Sequence, residues 1–168
     1  ELANGWLGTS FMPEQADIFL APLLRGLAKS GRTLADIDVQ VGGSLEIDDD
    51  VERLIEARRP AMAFTLGGMG SAKTNFYNDA FKRAGYAEAA EAVQALWVSG
   101  DKEAAIRAVP DEMVLKTNLI GTREMIVERI KAYAAAGVTT LRISTSGQNW
   151  RERTETLAEA TDLIHSIQ

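Results

Sequence analysis

Thr9-Ser10 stands where a short apolar stretch, Trp6 to Gly8, gives way to a helix opening at Pro13. Unsatisfied amides at a helix start carry partial positive charge, and two hydroxyls beside them suit an anion such as a phosphate. Ser and Thr serve equally as ordinary N-caps, which is their commoner use. The second candidate is Gly67-Gly68-Met69-Gly70-Ser71-Ala72-Lys73-Thr74. Its glycines permit close approach of a ligand to the backbone, and Lys73 offers a countercharge. It nearly spells a nucleotide-binding P-loop, with Ala72 where that motif requires glycine, and that reading needs Ala61 to Leu66 to be a strand. A solvent-exposed connection between helices is the competing reading. Lys116, one turn beyond Asp111-Glu112, is either surface charge or a second phosphate contact.

Other polar groups point less clearly to chemistry. Ser144-Thr145-Ser146-Gly147 follows a strand, a position that lies on the functional rim if the fold is a barrel. Asp48, Asp49 and Asp50 read as helix caps rather than metal ligands. Phe76, Ala80 and Ala84 share a helical face, so Phe76 reads as packing. His165 is the single histidine and stands in the last turn of the last helix, a surface position. No Ser-His-Asp arrangement, paired-carboxylate signature or metal spacing stands out. Cysteine is absent, which excludes disulfides, thiolate metal sites and a cysteine nucleophile.

The elements that must position these residues alternate between strands and helices, which implies parallel strands with crossover connections. Trp6 to Gly8 is a first strand, and Pro13 to Ser30 a helix with Ala16, Phe19, Leu20, Leu23, Leu24 and Leu27 on one stripe. Pro13 suits its first turn, Gly31 its end, and Pro22 predicts a kink. Ile37 to Ile47 reads as a strand in which Gly42-Gly43 marks a bulge or close backbone approach. Val51, Leu54 and Ile55 face inward from a helix whose continuation past Pro60 the sequence leaves open. Helices follow at Thr74 to Ala84, Ala87 to Ser99, Asp101 to Ala108 and from Pro110. This strandless stretch, about residues 60–117, has the character of a helical insertion. Asn118 to Gly121 is a short strand, Thr122 caps a helix ended by Gly137, Val138 to Ser144 is a strand, and Trp150 to Ile167 closes the chain.

The length of 168 residues suits one domain. A net charge of -6 supplies no phosphate-neutralising surface for nucleic acid. The longest uncharged apolar run, Pro60 to Gly70, is too short and glycine-rich to span a bilayer, and the expected location is cytoplasmic. Glu1 to Leu7 reads as a helix end running into a buried strand, so the expectation is a chain that begins in mid-protein. About four strand–helix units make half of a closed parallel barrel. Helices on one side only would leave a sheet face bare, which predicts pairing with a second copy as a homodimer or with a missing N-terminal half.

Several segments resemble one family. Ala3-Asn4-Gly5-Trp6-Leu7 is similar to the Ala-Asp-Gly-Trp/Phe segment of luciferase-like monooxygenases, and Thr9-Ser10 fits the loop that follows. Gly67-Gly68-Met69-Gly70-Ser71 with Asn75-Phe76-Tyr77-Asn78 resembles a subgroup that uses the deazaflavin coenzyme F420. Pro110 to Val114, and the run from Ile120-Gly121-Thr122 to Leu141, are similar to that subgroup too. The resemblance covers essentially the whole chain and implies an α/β fold, the C-terminal half of a (β/α)8 TIM barrel with a helical insertion before the seventh strand. It implies F420, or alternatively FMN, as the cofactor of a hydride transfer to or from a small organic substrate. Thr9 matches a cofactor-phosphate contact, and Lys73 and Lys116 lie near positions where basic residues hold the phosphate. Met12 stands where some deazaflavin enzymes have lysine, and Asn4 replaces the usual aspartate. The expected cofactor site is therefore Thr9, Ser10, Gly67, Gly68, Met69, Gly70, Lys73 and Lys116, with no metal and no catalytic acid or base assigned. Groups lining the ring come largely from the N-terminal half in this family, so the isolated chain is expected to be inactive.

Overall fold

Asp38–Ile47 alternates Val39, Val41 and Leu45 with Gln40, Gly42 and Ser44, and it forms β2, the longest strand. The structure, a computed structural model, describes residues 1–71, 73–145, 147 and 149–167. Three short strands pair with β2, all in parallel: β1 (Gly5–Leu7), β3 (Leu119–Gly121) and β4 (Thr140–Thr145). Gln40 is matched with Leu7 and Thr140, and Leu45 with Leu119 and Thr145. A strand residue has one neighbour on each side, so β4 occupies one edge of β2 while β1 and β3 share the other.

That order departs from a barrel sector, where β4 would pair with β3. Glycines line the contact on both edges. A Cβ on Gly42 would fall 1.9 Å from the Arg142 carbonyl oxygen, and one on Gly43 would fall 2.9 Å from that of Thr117. The bare backbone of β2 thus admits close neighbours on both edges, as the Gly42-Gly43 pair suggests from sequence.

Residues 1–51 and 117–168 make a sheet unit, and residues 52–116 a helical unit. In the sheet unit, α1 (Ala16–Lys29), α7 (Arg123–Ala135) and α8 (Trp150–Ser166) cover one sheet face. Leu20 and Leu27 from α1, Ile126, Ile130 and Tyr133 from α7, and Leu163 from α8 bury against Val39, Val41 and Leu45. Pro22 lies within α1, which is continuous through it, and Gly31 with φ +69° follows its end. The opposite sheet face is polar. Thr140, Arg142 and Ser144 are exposed there, and Gln40, Ser44 and Glu46 are partly so.

The helical unit holds most of α2 (Val51–Gly67), then α3 (Phe76–Phe81), α4 (Ala87–Ser99), α5 (Lys102–Arg107) and α6 (Asp111–Thr117). A wider π-type turn at Lys82–Tyr86 joins α3 to α4, with Gly85 at φ +92°. Helix α2 runs through Pro60 to Gly67, so residues 61–66 are helical. That removes the P-loop reading, which needs a strand there. Leu54, Leu66, Phe81, Val93 and Met113 form the buried interior among the described residues.

Candidate functional site

Chain geometry places Thr9 and Ser10 just past β1, and Gly8 N–H donates to Gln40 O at 2.8 Å. Leu7 is matched with Gln40 while β2 and β4 continue to Leu45 and Thr145, so these hydroxyls sit level with the middle of β2, short of its end. Neither caps the following helix. The cap position of its leading turn, Pro13–Gln15, is Met12, with no side-chain bond. Met12 and Phe11 are instead buried, anchoring the loop from below. Between Gly8 and Phe11 the backbone turns sharply, with Ser10 at φ +54°, a left-handed conformation uncommon outside glycine. The capping reading thus fails, and the two hydroxyls remain available to a ligand on a loop braced by its apolar neighbours.

The glycine segment belongs to the helical unit, and its glycines have packing reasons. A Cβ on Gly67 would meet the Trp97 side chain at 2.3 Å, and one on Gly68 would meet Phe64 at 2.6 Å. Gly70 takes φ +91°, with Thr74 O at 2.4 Å from the Cβ it lacks. The segment's amides are largely spent internally. Gly68 and Met69 N–H donate to Phe64 O at 2.7 and 3.1 Å, and Ser71 and Thr74 exchange backbone bonds at 3.2 Å each. Lys73 N–H reaches Ser71 Oγ at 3.3 Å. The result is a tight turn at 71–74 with the Lys73 side chain exposed at its tip, a point cation rather than an amide cradle. Ala72 and Ser146 lie outside the described residues.

Lys116 is engaged in its own unit. It pairs with Glu112 and bonds Tyr86, and the Glu112 bond raises its pKa. The same bond holds the Glu112 carboxyl below its usual range, while burial pushes the Tyr86 hydroxyl up. The structure thus places Gly67, Gly68, Met69, Gly70, Lys73 and Lys116 in the helical unit and Thr9 and Ser10 in the sheet unit.

One expectation changes here, and one signal was missed. Phe76 is 69% exposed, although Ala80 and Ala84 on its face are buried, because it opens α3 one turn ahead of the packed residues. Sequence reasoning also passed over Asn75 and Asn78 as polar groups; they are 3% and 1% exposed. An Asn-x-x-Asn spacing just after a glycine break was the available signal. Elsewhere, Asp48 Oδ1 accepts from Asp50 N–H at 2.8 Å, a local turn, and no metal-holding cluster occurs among the described residues. His165 is exposed. A cavity of about 360 Å³ opens in the sheet unit beside Tyr133, Val138, Thr139, Leu141 and Ile164, and no candidate residue lines it. No described helix is long and apolar enough to cross a membrane.

Residues 1–140 match the luciferase-like monooxygenase family. A Mycobacterium tuberculosis protein named as a coenzyme F420-dependent oxidoreductase is 30% identical over 146 residues, covering 86% of this chain and 42% of that protein. The 5,10-methylenetetrahydromethanopterin reductase of Methanopyrus kandleri is 28% identical over 139 residues, covering 83% of this chain and 38% of the relative. The structure of the coenzyme F420-dependent tetrahydromethanopterin reductase from Methanopyrus kandleri superposes with a TM-score of 0.73 at 25% identity. It covers 100% of this chain and 46% of that one. An F420-dependent secondary alcohol dehydrogenase shares the fold, at a TM-score of 0.62 and 12% identity over 99% of this chain and 43% of its own. The chain thus spans less than half the length of these relatives.

Proposed function

The chain belongs to the luciferase-like monooxygenase family, and from that premise we propose that it forms the C-terminal half of a (β/α)8 oxidoreductase dependent on coenzyme F420. The observation that carries this reading is full-length likeness, at 25% identity, to an F420-dependent reductase of about twice the span. A further relative named for coenzyme F420 supports the same cofactor.

The residues present fit a phosphate-bearing cofactor by their donor chemistry. Thr9 and Ser10 carry hydroxyls that are not spent on capping, and Lys73 carries an exposed ammonium. When bound, F420 supplies the hydride chemistry. The chain's part would be binding and orientation, each unit by itself: in the sheet unit Thr9 and Ser10 would offer hydroxyls to phosphate oxygens, and in the helical unit the Gly67–Gly70 segment would fix where Lys73 presents its charge. Lys116 is a weaker contact in this reading, because its ammonium already serves Glu112 and Tyr86. The substrate is a small organic molecule, and no acid or base is assigned within these residues. By itself the chain is inactive, since the groups around the ring belong to the other half.

Fluorescence titration of F420 with the chain tests the cofactor assignment. Saturable quenching by F420, with none of comparable affinity for FMN, is expected. Binding of FMN but not F420 would overturn it.

A further inference from the structure

The sequence motif that most closely marks the F420 subgroup is the glycine segment with its Asn75 to Asn78 continuation, yet the glycines are explained by Trp97 and Phe64. The asparagines are not explained by packing. Both are among the most buried polar residues of the chain, and their carboxamides are aimed backwards, at the end of α2. Asn75 Nδ2 donates to Thr65 O at 3.2 Å and to Leu66 O at 2.8 Å. Asn78 Nδ2 donates to the same Leu66 O at 2.9 Å and to Ala90 O at 2.8 Å. Every partner is a carbonyl acceptor, so the amide nitrogens must face them. Asn78 Oδ1 is left buried without a partner, which means that this side chain is held for its donors alone.

A helix end leaves its last carbonyls without intrahelical donors, and here two side chains from beyond the loop supply them. Asn75 also works forwards: its Oδ1 accepts Asn78 N–H at 3.0 Å and caps α3. One residue therefore closes α2 and opens α3, and the intervening loop is pinned at both feet. The Ser71–Thr74 bridge then fixes its tip.

We propose that Asn75 and Asn78 are positioning residues which, by tying the two feet of the 67–74 loop to the α2 carbonyls, preset the place of Lys73 for the cofactor's phosphate. This rests on the reading of that loop as part of the F420 site. Neither residue touches the cofactor; both act through the loop.

Asn75→Asp separates this role from ordinary capping. Aspartate keeps the oxygen that caps α3 and suits the helix dipole, but it loses both donors to α2. Asn78→Asp removes the other pair of donors. The measurements on the 168-residue chain are amide hydrogen exchange across residues 67–74, thermal unfolding by circular dichroism, and F420 fluorescence titration. In both variants, loop amides should exchange about tenfold faster with α7 protection retained, and F420 affinity should fall about tenfold. Asn75→Gln, which keeps both polar functions but displaces them by a methylene, should lie closer to Asn75→Asp than to wild type. Wild-type exchange in Asn75→Asp would overturn the proposal, since capping alone would then suffice. Faster exchange with unchanged F420 affinity would overturn its functional half. Failure of the wild-type chain to bind F420, with loop exchange responding as described, would instead sink the cofactor reading on which it rests.

Discussion

Trp97 accounts for Gly67 thirty residues upstream, and nothing in a linear sequence marks that contact. The glycine run is visible as a break, but its cause lies in Trp97, which fills the space at Gly67, and in Phe64, which fills most of that at Gly68. Gly67→Ala should destabilise the chain by about 1–3 kcal/mol through crowding against Trp97. Gly70→Ala should cost a similar ~1–3 kcal/mol through its positive φ and the Thr74 carbonyl. Urea unfolding of each variant reads both, and a neutral Gly67→Ala would contradict the packing account. Lys73 is different, because its side chain is exposed and its removal should leave stability unchanged. Lys73→Met should weaken F420 binding and flatten its salt dependence, measured by titration at two ionic strengths. Thr9 and Ser10 were legible as polar groups at a strand–helix junction, but their freedom from capping was not. It follows from Met12 taking the cap position with its side chain buried.

Elements were more readable than their pairing. Period-two alternation marks β2, and helical stripes mark α1 and α7, because burial of one face dictates both patterns. The attachment of β4 to β2 was not legible, since strand choice depends on which edge is open and which neighbour the glycines admit. Asp38 then locks that pairing from the start of β2. Its carboxylate accepts hydrogen bonds from the hydroxyls of Thr139 and Thr140 and from the Gln40 amide, while Thr139 Oγ1 accepts Val39 N–H at 2.8 Å. These bonds, that from Thr139 foremost, hold Asp38 below the usual carboxylate range. A lowered folded-state pKa contributes stability that is present above the unfolded value and lost as pH falls through the folded one. Stability from this cluster should therefore decline below about pH 4. Asp38→Asn should flatten that part of the acid limb, measured by urea unfolding from pH 6 to pH 2.5. An unchanged acid limb in the variant would remove the lock from the account. In the core above it, Leu45→Ala should cost about 2–4 kcal/mol, because Leu45 is 1% exposed beneath α7 and α8.

At the scale of the whole molecule, alternation of strands and helices made the α/β class legible, and the strandless middle was visible as a helical stretch. The polarity of the sheet face away from α1, α7 and α8 was not anticipated. Gln40, Ser44, Glu46, Thr140, Arg142 and Ser144 face water there, so hydrophobic burial does not by itself drive a second copy onto it. Cofactor identity came from the resemblance and from relatives, not from spacing or charge. The account stands on the claim that this chain grips F420 through its phosphate. Phosphorus NMR of F420 titrated with the chain tests that directly. The account predicts a saturable shift of the phosphate resonance that is lost in Thr9→Val and Lys73→Met. A resonance unmoved by the wild-type chain, or moved equally by both variants, would contradict it.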